Sequence, residues 1–319
     1  LLAPGDIVLY ERNNHKSISY GALIQAGAVP VYLETARNPF GSIGGILEHC
    51  FNEEYIRMVI AEKDKKKAKA KRPVRVAVIQ LGNYDGCIYN ARQIVEKIGH
   101  LCDYIYFDSA WVGYEQFIPM MKDCSPLLLE LGPEDPGIFV TQSVHKQQAG
   151  FSMTSQVHKK DSHIKGQDRY VPHKRVNNAF MMHASTSPLY QLFAALDVNA
   201  KMHEGEAGKK LWVEAVKTVI ETRKQILRNC HYIRPLVPPV VNGKKWEDGD
   251  TEKMANDMDY WAFEPGAKWH GFEGYGKGQY FIDPMKLQFV TCGIDIENGG
   301  YEEFGCLLYT SPSPRDPKT

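Results

Sequence analysis

Three side chains with reactive or hydrogen-bonding groups follow one apolar segment of the sequence. Residues 137–140 have the composition of a buried strand, and Ser143, His145 and Lys146 come soon after it. A lysine amine can form a Schiff base with an aldehyde, a hydroxyl can bind a phosphate, and a histidine can move a proton. This combination suits pyridoxal phosphate (PLP), which carries an aldehyde and a phosphate on one ring. The alternative for Lys146 is a solvated surface lysine, the commonest setting of that residue.

A second apolar segment ends in a carboxylate. Residues 103–108 have the pattern of a buried strand that ends at Asp108, and Ala110 and Trp111 follow it. PLP needs an anion beside its pyridine nitrogen, because a protonated ring nitrogen makes the ring a better electron sink. In open α/β sheets, ligands bind outside the carboxyl ends of the strands, where Asp108 and the Lys146 turn would both lie. We therefore place Asp108, Ala110 and Trp111 in the same cofactor site. The alternative for Asp108 is a helix N-cap.

The elements that would position these residues alternate between strand and helix. This alternation predicts an α/β fold with a mainly parallel sheet flanked by helices. Residues 156–165 carry two histidines and three lysines and are interpreted as an exposed loop. The predicted strands are 6–10, 29–33, 74–81, 103–108, 137–140 and 283–290, and the predicted helices are 17–27, 46–61, 88–101 and 208–230.

Longer stretches of the sequence resemble a known family. Residues 140–205, which include SVHKQQAGFSMTSQVHKKDSHIKGQDRYVPHKR and NNAFMMHASTSPLY, are similar to the bacterial inducible ornithine/lysine/arginine decarboxylases of PLP fold type I. The resemblance runs from about residue 1 to about residue 305. It implies the major domain of an aspartate-aminotransferase-like fold, a PLP-dependent carboxy-lyase activity, and a basic amino acid as the substrate.

The resemblance also implies roles for two further residues. His15 matches the histidine that stacks on the cofactor ring, and the alternative is a histidine that caps the entrance of a helix. Ser187, in the Ser185-Thr186-Ser187 cluster, matches a serine that reaches the phosphate in the neighbouring subunit. The alternative for this cluster is a helix N-cap. The cross-subunit contact implies a homodimer with a shared active site, and the full-length family members suggest a larger ring assembly.

The resemblance favours one substrate. Residues 158–175 form an insertion that looks like the ornithine branch, which predicts conversion of L-ornithine to putrescine and CO2. A lysine or arginine decarboxylase, an aminotransferase and a non-catalytic regulatory homologue are the alternatives. Intact Lys146 and Asp108 argue against a non-catalytic homologue, because a scaffold needs neither. Either His145 or Lys146 could return the proton to the substrate.

Composition narrows the class of protein further. The chain has 38 basic and 38 acidic residues, and this balance argues against a general nucleic-acid binder. No apolar run approaches the roughly 20 residues that span a bilayer. Seven cysteines occur without CxxC spacing, which favours reduced thiols in the cytoplasm over disulfides or a structural zinc site. The two histidines of residues 156–165 are not joined by a carboxylate or a cysteine in metal-ligand spacing, and we expect no metal.

The ends of the sequence suggest a piece of a longer protein. Residues 1–305 are expected to be a major domain that is truncated at both ends and inactive by itself. Residues 306–319 resemble the translation of a sequencing adaptor and are expected to be non-native. The missing domains would leave an apolar interface of the major domain uncovered. We expect Trp246, Trp261 and Trp269 to lie on that exposed surface.

Overall fold

A six-stranded sheet lies at the centre of the computed structural model, which describes residues 1–292. The strands are β1 (Ile7–Glu11), β2 (Val29–Leu33), β3 (Thr35–Arg37), β4 (Ile43–Ile46), β5 (Val74–Gln80), β6 (Cys87–Tyr89), β7 (Cys102–Asp108), β8 (Gly137–Ser143), β9 (Ser155–Lys160), β10 (Ile233–Pro235), β11 (Val240–Val241), β12 (Lys244–Lys245), β13 (Tyr280–Ile282) and β14 (Phe289–Thr291).

Helices connect and cover these strands. The α-helices are α1 (Lys16–Ser19), α2 (Glu53–Ala61), α3 (Ala91–Ile98), α4 (Val144–Gln147), α5 (His173–Met181), α6 (Tyr190–Met202), α7 (Gly205–Asn229) and α8 (Thr251–Met254). A π-helical segment spans Tyr20–Gln25, and 3-10 turns span Glu48–Phe51, Lys67–Lys69, Gly99–Leu101, Glu115–Phe117, Pro119–Cys124, Ser162–Ile164, Trp246–Asp248 and Met258–Trp261.

The central sheet is mainly parallel, as the alternation of strand and helix predicts. Its order is β2-β1-β5-β7-β8-β9, and every neighbouring pair is parallel except β8 with β9. In the register of the sheet, Gln80 lies opposite Asp108, and Asp108 lies opposite Thr141. The carboxyl ends of β5, β7 and β8 therefore meet at one edge.

Both faces of the sheet are covered by apolar cores. Each strand contributes to both of them, because successive side chains of a strand point to opposite faces. On β1, Ile7 and Leu9 pack into the larger core with α2, α3 and α7. Val8 and Tyr10 pack into a smaller core beside α1 and the π-helical segment. Apolar strands covered on both sides are typical of parallel sheets, and polar side chains find room only at the strand ends.

The chain from residue 237 to residue 282 contributes many of its apolar side chains to the larger core. Trp246 and Trp261 are completely buried, and their rings meet edge to face with centroids 5.7 Å apart. Each indole donates to a backbone carbonyl, Trp246 Nε1 to Tyr260 O and Trp261 Nε1 to Met254 O, both at 3.0 Å. The expectation of exposed tryptophans is therefore wrong for these two, whereas Trp269 is partly buried.

Three predicted elements differ from the structure. The predicted helix at 46–61 begins only at Glu53, because residues 43–46 form β4 and Asn52 accepts from Tyr55 N as the N-cap. The predicted strand at 283–290 starts with a turn that runs from the buried Asp283 to residue 288, and only its last two residues belong to β14. The first half of the predicted loop at 156–165 belongs to the edge strand β9, because the edge of β8 offers backbone partners that a polar segment can satisfy, and the second half is a turn outside the sheet.

The predicted boundary at residue 305 and the predicted non-native tail lie outside the described residues. Within residues 1–292, no helix has the length and apolar character to cross a membrane. No cluster of potential metal ligands is present in the same range.

Candidate active site

A cavity of about 490 Å³ opens where the carboxyl ends of the strands meet. Its size falls in the range of small-molecule and cofactor sites. The predicted residues among those that line it are Asp108, Ala110, Trp111, Ser143, Lys146 and His15, and the others are Asn13, Asn14, Lys16, Ser17, Ile18, Gln80, Tyr84, Tyr106 and Thr141. The structure thus brings six of the eight predicted site residues to one cavity.

Asp108 is the buried carboxylate of this cavity. It is the last residue of β7, and its Oδ1 accepts from Ala110 N at 3.0 Å. No helix of the described chain begins at this position, so the carboxylate caps a turn and not a helix. Burial raises the pKa of Asp108, while the Ala110 N–H and the charges of Lys146 and His15 oppose that shift. A cation in the cavity that donates a hydrogen bond would relieve this cost.

Lys146 presents its amine to the same cavity. It lies on the one-turn helix α4, directly after β8, and its Nζ is 4.5 Å from the centroid of the Trp111 ring. The Trp111 indole in turn meets Tyr84 edge to face, with ring centroids 5.2 Å apart. A cation over an indole face is attracted by the ring electrons. Lys146 thus lines the cavity and also remains exposed to solvent in the single chain, as the surface-lysine alternative expects.

His15 caps a helix and also lines the cavity. Its Nδ1 accepts from Ser17 N at 3.2 Å, so the imidazole caps the start of α1, as the alternative interpretation predicts. The same ring lines the cavity. The loop before it is fixed by Asn14, which donates through Nδ2 to Glu11 O at 2.6 Å.

Two predicted residues are not brought to the cavity. His145 precedes Lys146, but its Nδ1 lies 2.7 Å from Thr154 O, and His145 is absent from the described residues that line the cavity. Ser187 lies on an exposed segment, where its backbone N–H donates to Ser185 Oγ at 3.2 Å. Its predicted role requires a second subunit and is not tested by the single chain.

The structure adds polar residues that the sequence analysis did not identify. Tyr106 donates its hydroxyl to Thr141 Oγ1 at 2.6 Å, and both residues line the cavity. Burial raises the pKa of Tyr106 to about 12, so the phenol remains a donor at neutral pH. Gln80 and Tyr84 complete the wall on the β5 side. The sequence signal that could have identified such residues is the polar residue at the carboxyl end of an apolar strand, such as Gln80 at the end of β5.

Glu11 is a second buried carboxyl, at the end of β1. It is 2% exposed, and its Oε2 accepts from Gln80 N at 2.8 Å. Burial raises the pKa of Glu11 to about 8, against hydrogen bonds from Gln80 N–H and Tyr89 and with a smaller contribution from the charge of Asp108. At neutral pH the Glu11 carboxyl is therefore mainly protonated, and Asp108 is the carboxyl that lines the cavity.

Comparison with known proteins identifies the family. The profile of the Orn/Lys/Arg decarboxylase major domain matches residues 1–310. The chain belongs to the Orn/Lys/Arg decarboxylase family. Its sequence is 68% identical over 305 residues to the inducible ornithine decarboxylase of Escherichia coli (strain K12), an alignment that covers 96% of this chain and 42% of that protein. The chain thus spans about two fifths of the length of the curated relatives it matches.

Other members of the decarboxylase family are more distant in sequence but share the fold. A lysine decarboxylase of Pseudomonas aeruginosa is 34% identical over 297 residues, covering 91% of this chain and 37% of that protein. The solved structure of the constitutive lysine decarboxylase of Escherichia coli matches with a TM-score of 0.76 at 31% identity, covering 92% of this chain and 38% of that one. This likeness confirms the predicted fold class.

The buried Glu11 generates a pH prediction for this decarboxylase-family chain. Its carboxyl ionises near 4.5 when exposed and near 8 in the folded protein, so the folded state holds an extra proton between these values. The contribution of Glu11 to the free energy of unfolding is therefore greatest below pH 4.5 and falls as the pH rises toward 8. Each pKa unit is worth about 1.4 kcal/mol, so Glu11→Gln should reduce this fall by several kcal/mol.

The measurement is urea unfolding of the parent and of Glu11→Gln at about pH 5 and about pH 8, the two ends of the linkage window. Glu62→Gln, at an exposed position of the same chain, is the matched control and should follow the parent. Equal pH dependence of the parent and Glu11→Gln would contradict the predicted burial of a protonated carboxyl.

Proposed function

We propose that this chain forms the PLP-binding domain of an ornithine decarboxylase, which converts L-ornithine to putrescine and CO2. The observation that carries the proposal is the convergence of Lys146 and the buried Asp108 in one cavity. The 68% identity to an ornithine decarboxylase, against 34% to a lysine decarboxylase, favours ornithine as the substrate. An amine and a buried carboxylate in this arrangement have no evident purpose in a non-catalytic homologue.

The side chains of the cavity fit PLP in charge and in hydrogen bonding. The buried carboxylate of Asp108 suits a protonated pyridine nitrogen, since the two charges relieve each other's burial. Lys146 Nζ is the amine that would hold the aldehyde, and the Ser143 hydroxyl would bind the phosphate. His15 would stack on the ring, and Ala110 and Trp111 would border it. PLP supplies an electron sink for the bond that breaks at the substrate carbon.

The protein contributes orientation and a proton to this reaction. Loss of the carboxylate competes with loss of the α-proton, and the bond held perpendicular to the ring is the one that breaks, so the cavity must fix the substrate. Lys146 is the proton donor favoured by the geometry, because its Nζ lies in the cavity, whereas His145 Nδ1 is engaged with Thr154 O. His145 then holds the Lys146 turn against the strand that follows.

The shared active site of a homodimer is part of the same proposal. Ser187 lies on an exposed segment between α5 and α6, where it would reach the phosphate in a neighbouring subunit. The surrounding surface is unusually apolar, and α5 buries none of its residues within its own chain. Exposed apolar patches of this kind mark association surfaces. The large exposed apolar side chains there are Phe180, Met181, Met182, Leu189, Tyr190 and Phe193.

We further propose that the protein acts in the cytoplasm. Six cysteines of the described chain are free, and four of them are buried. Free thiols are typical of proteins in a reducing compartment.

The first prediction from the proposed function concerns Lys146. In a full-length chain that carries this sequence, Lys146→Ala should abolish the visible absorbance of lysine-bound PLP and lower turnover of L-ornithine by several orders of magnitude, because the amine that holds and releases the cofactor is lost. Putrescine release, compared with the amines formed from L-lysine and L-arginine, measures both activity and substrate choice. Lys165→Ala, at an exposed position, is the control. Unchanged absorbance and turnover in Lys146→Ala would refute the assignment.

The second prediction concerns the cross-subunit contact. Full-length Lys146→Ala and Ser187→Ala chains, each with little activity, should regain activity when they are mixed. One of the two sites in a mixed dimer would then contain both native residues, so activity should approach about a quarter of the parent value if subunits exchange at random. Failure in a heterodimer verified by mass spectrometry would show that Ser187 acts within its own subunit or has no role.

A further inference from the structure

Helix α6 touches the body of the protein through a narrow strip of residues. Ala195, Asn199 and His203 are spaced four residues apart and are 7%, 5% and 8% exposed, while Phe193 and Val198 on other sides of the helix are exposed. The middle residue of the strip is thus the buried amide of Asn199, at a position where an apolar side chain would pack without a desolvation cost. A buried amide is costly unless its hydrogen bonds are made, so its partners indicate its purpose.

Both hydrogen bonds of the Asn199 side chain go to the segment after Lys146. Asn199 Oδ1 accepts from Ala149 N, and Asn199 Nδ2 donates to Gln148 Oε1, each at 3.0 Å. The helix that carries Lys146 ends at Gln147, and Gln148 has an extended backbone. Asn199 thus supplies the Ala149 N–H with a partner just where regular secondary structure ends.

Asn199 is itself fixed to the core. The next residue of the strip, His203, lies with Nδ1 2.7 Å from Asn199 O. The His203 ring packs against Phe117 and Trp212, with centroid distances of 4.7 and 5.9 Å. The Asn199 side chain therefore lies near a helix end whose position is fixed by the contacts of His203 with Phe117 and Trp212.

The other side of the Gln148 amide is also confined. A Cβ atom on Gly113 would lie 2.6 Å from Gln148 Nε2, so the amide lies against the backbone of Gly113. Gly113 has a φ of +115°, a conformation that favours glycine. It follows Trp111 by two residues, and Trp111 is the ring that faces Lys146 Nζ. The Gln148 amide thus lies between α6 and the loop that borders the active site.

We propose that Asn199 is a positioning residue, which fixes the backbone after Lys146 to α6 and so sets the position of the lysine amine in the cavity. This inference rests on the proposed role of Lys146 in holding PLP. A lysine that must bond to a cofactor and then leave it needs a well-defined backbone position, because a displacement of about 1 Å can lower a rate by about 10²-fold. Asn199 does not touch the cavity and acts only through the Lys146 turn.

The test compares three substitutions in a full-length chain that carries this sequence. Asn199→Leu keeps the size of the side chain and removes both hydrogen bonds. Asn199→Asp keeps an acceptor for Ala149 N–H. Asn229→Leu alters an exposed asparagine at the end of α7 and serves as the control. The readouts are hydrogen exchange of the peptide covering residues 147–150, the dissociation constant of PLP, and kcat and KM for L-ornithine.

Asn199→Leu should speed exchange of the 147–150 peptide, weaken PLP binding about 10-fold or more, and lower kcat by about 10²-fold with a much smaller change in KM. Asn199→Asp should fall between Asn199→Leu and the parent, and Asn229→Leu should match the parent. A purely structural role would lower the thermal midpoint without a selective change in the 147–150 peptide or in kcat, and that result would overturn the proposal.

A second variant decides the case in which Asn199→Leu does not fold. Gln148→Ala removes one of the two hydrogen bonds without altering α6, and it should show the same changes to a smaller degree. Parent-like exchange and PLP binding in Gln148→Ala would then overturn the proposal. Failure of the proposed function is a separate outcome: the parent would bind no PLP, while faster exchange in Asn199→Leu would still show that Asn199 fixes the turn.

Discussion

The shared direction of four neighbouring strands is the constraint on which the site depends. β1, β5, β7 and β8 are mutually parallel, so the segments that follow them emerge at one edge of the sheet. The register places Gln80, Asp108 and Thr141 side by side across three of these strands. Because both faces of the sheet are packed with apolar side chains, the strand ends are the first positions where polar groups can gather. The cavity and the position of the Lys146 turn both follow from that alignment.

Burial of charge at this edge costs stability and creates reactivity. Asp108 and Glu11 lie near each other at the ends of parallel strands, and burial raises the pKa of both. The protein divides the two roles: Glu11 is held mainly protonated by its surroundings, and Asp108 has the charge of Lys146 to favour its ionised form. A protonated ring nitrogen would complete this compensation in the proposed complex. A carboxyl group in a cavity whose pKa is raised by burial and lowered by a nearby cation is typical of functional sites, and Asp108 has this setting.

The sequence predicted the local parts of this arrangement and missed the long-range ones. Asp108 ends one apolar strand and Lys146 follows another, so their types and positions sufficed to predict that both lie at one edge of the sheet. Glu11 was missed because the strand was predicted to end at Tyr10, one residue too early. Asn199 was missed because its partners lie about 50 residues away in sequence, and no periodicity marks a contact between a helix face and a distant turn. The polar edge strand β9 gave no apolar alternation that would distinguish it from a loop.

The central claim is that Lys146 holds PLP in this cavity, and chemical trapping tests it most directly. The full-length chain would be loaded with PLP, reduced with borohydride, digested, and mapped by mass spectrometry. Lys16 lines the same cavity and provides an internal alternative for the modified residue. The account predicts one modified peptide, with the phosphopyridoxyl group on Lys146. Modification of Lys16, or labelling spread over surface lysines with Lys146 unmodified, would contradict it.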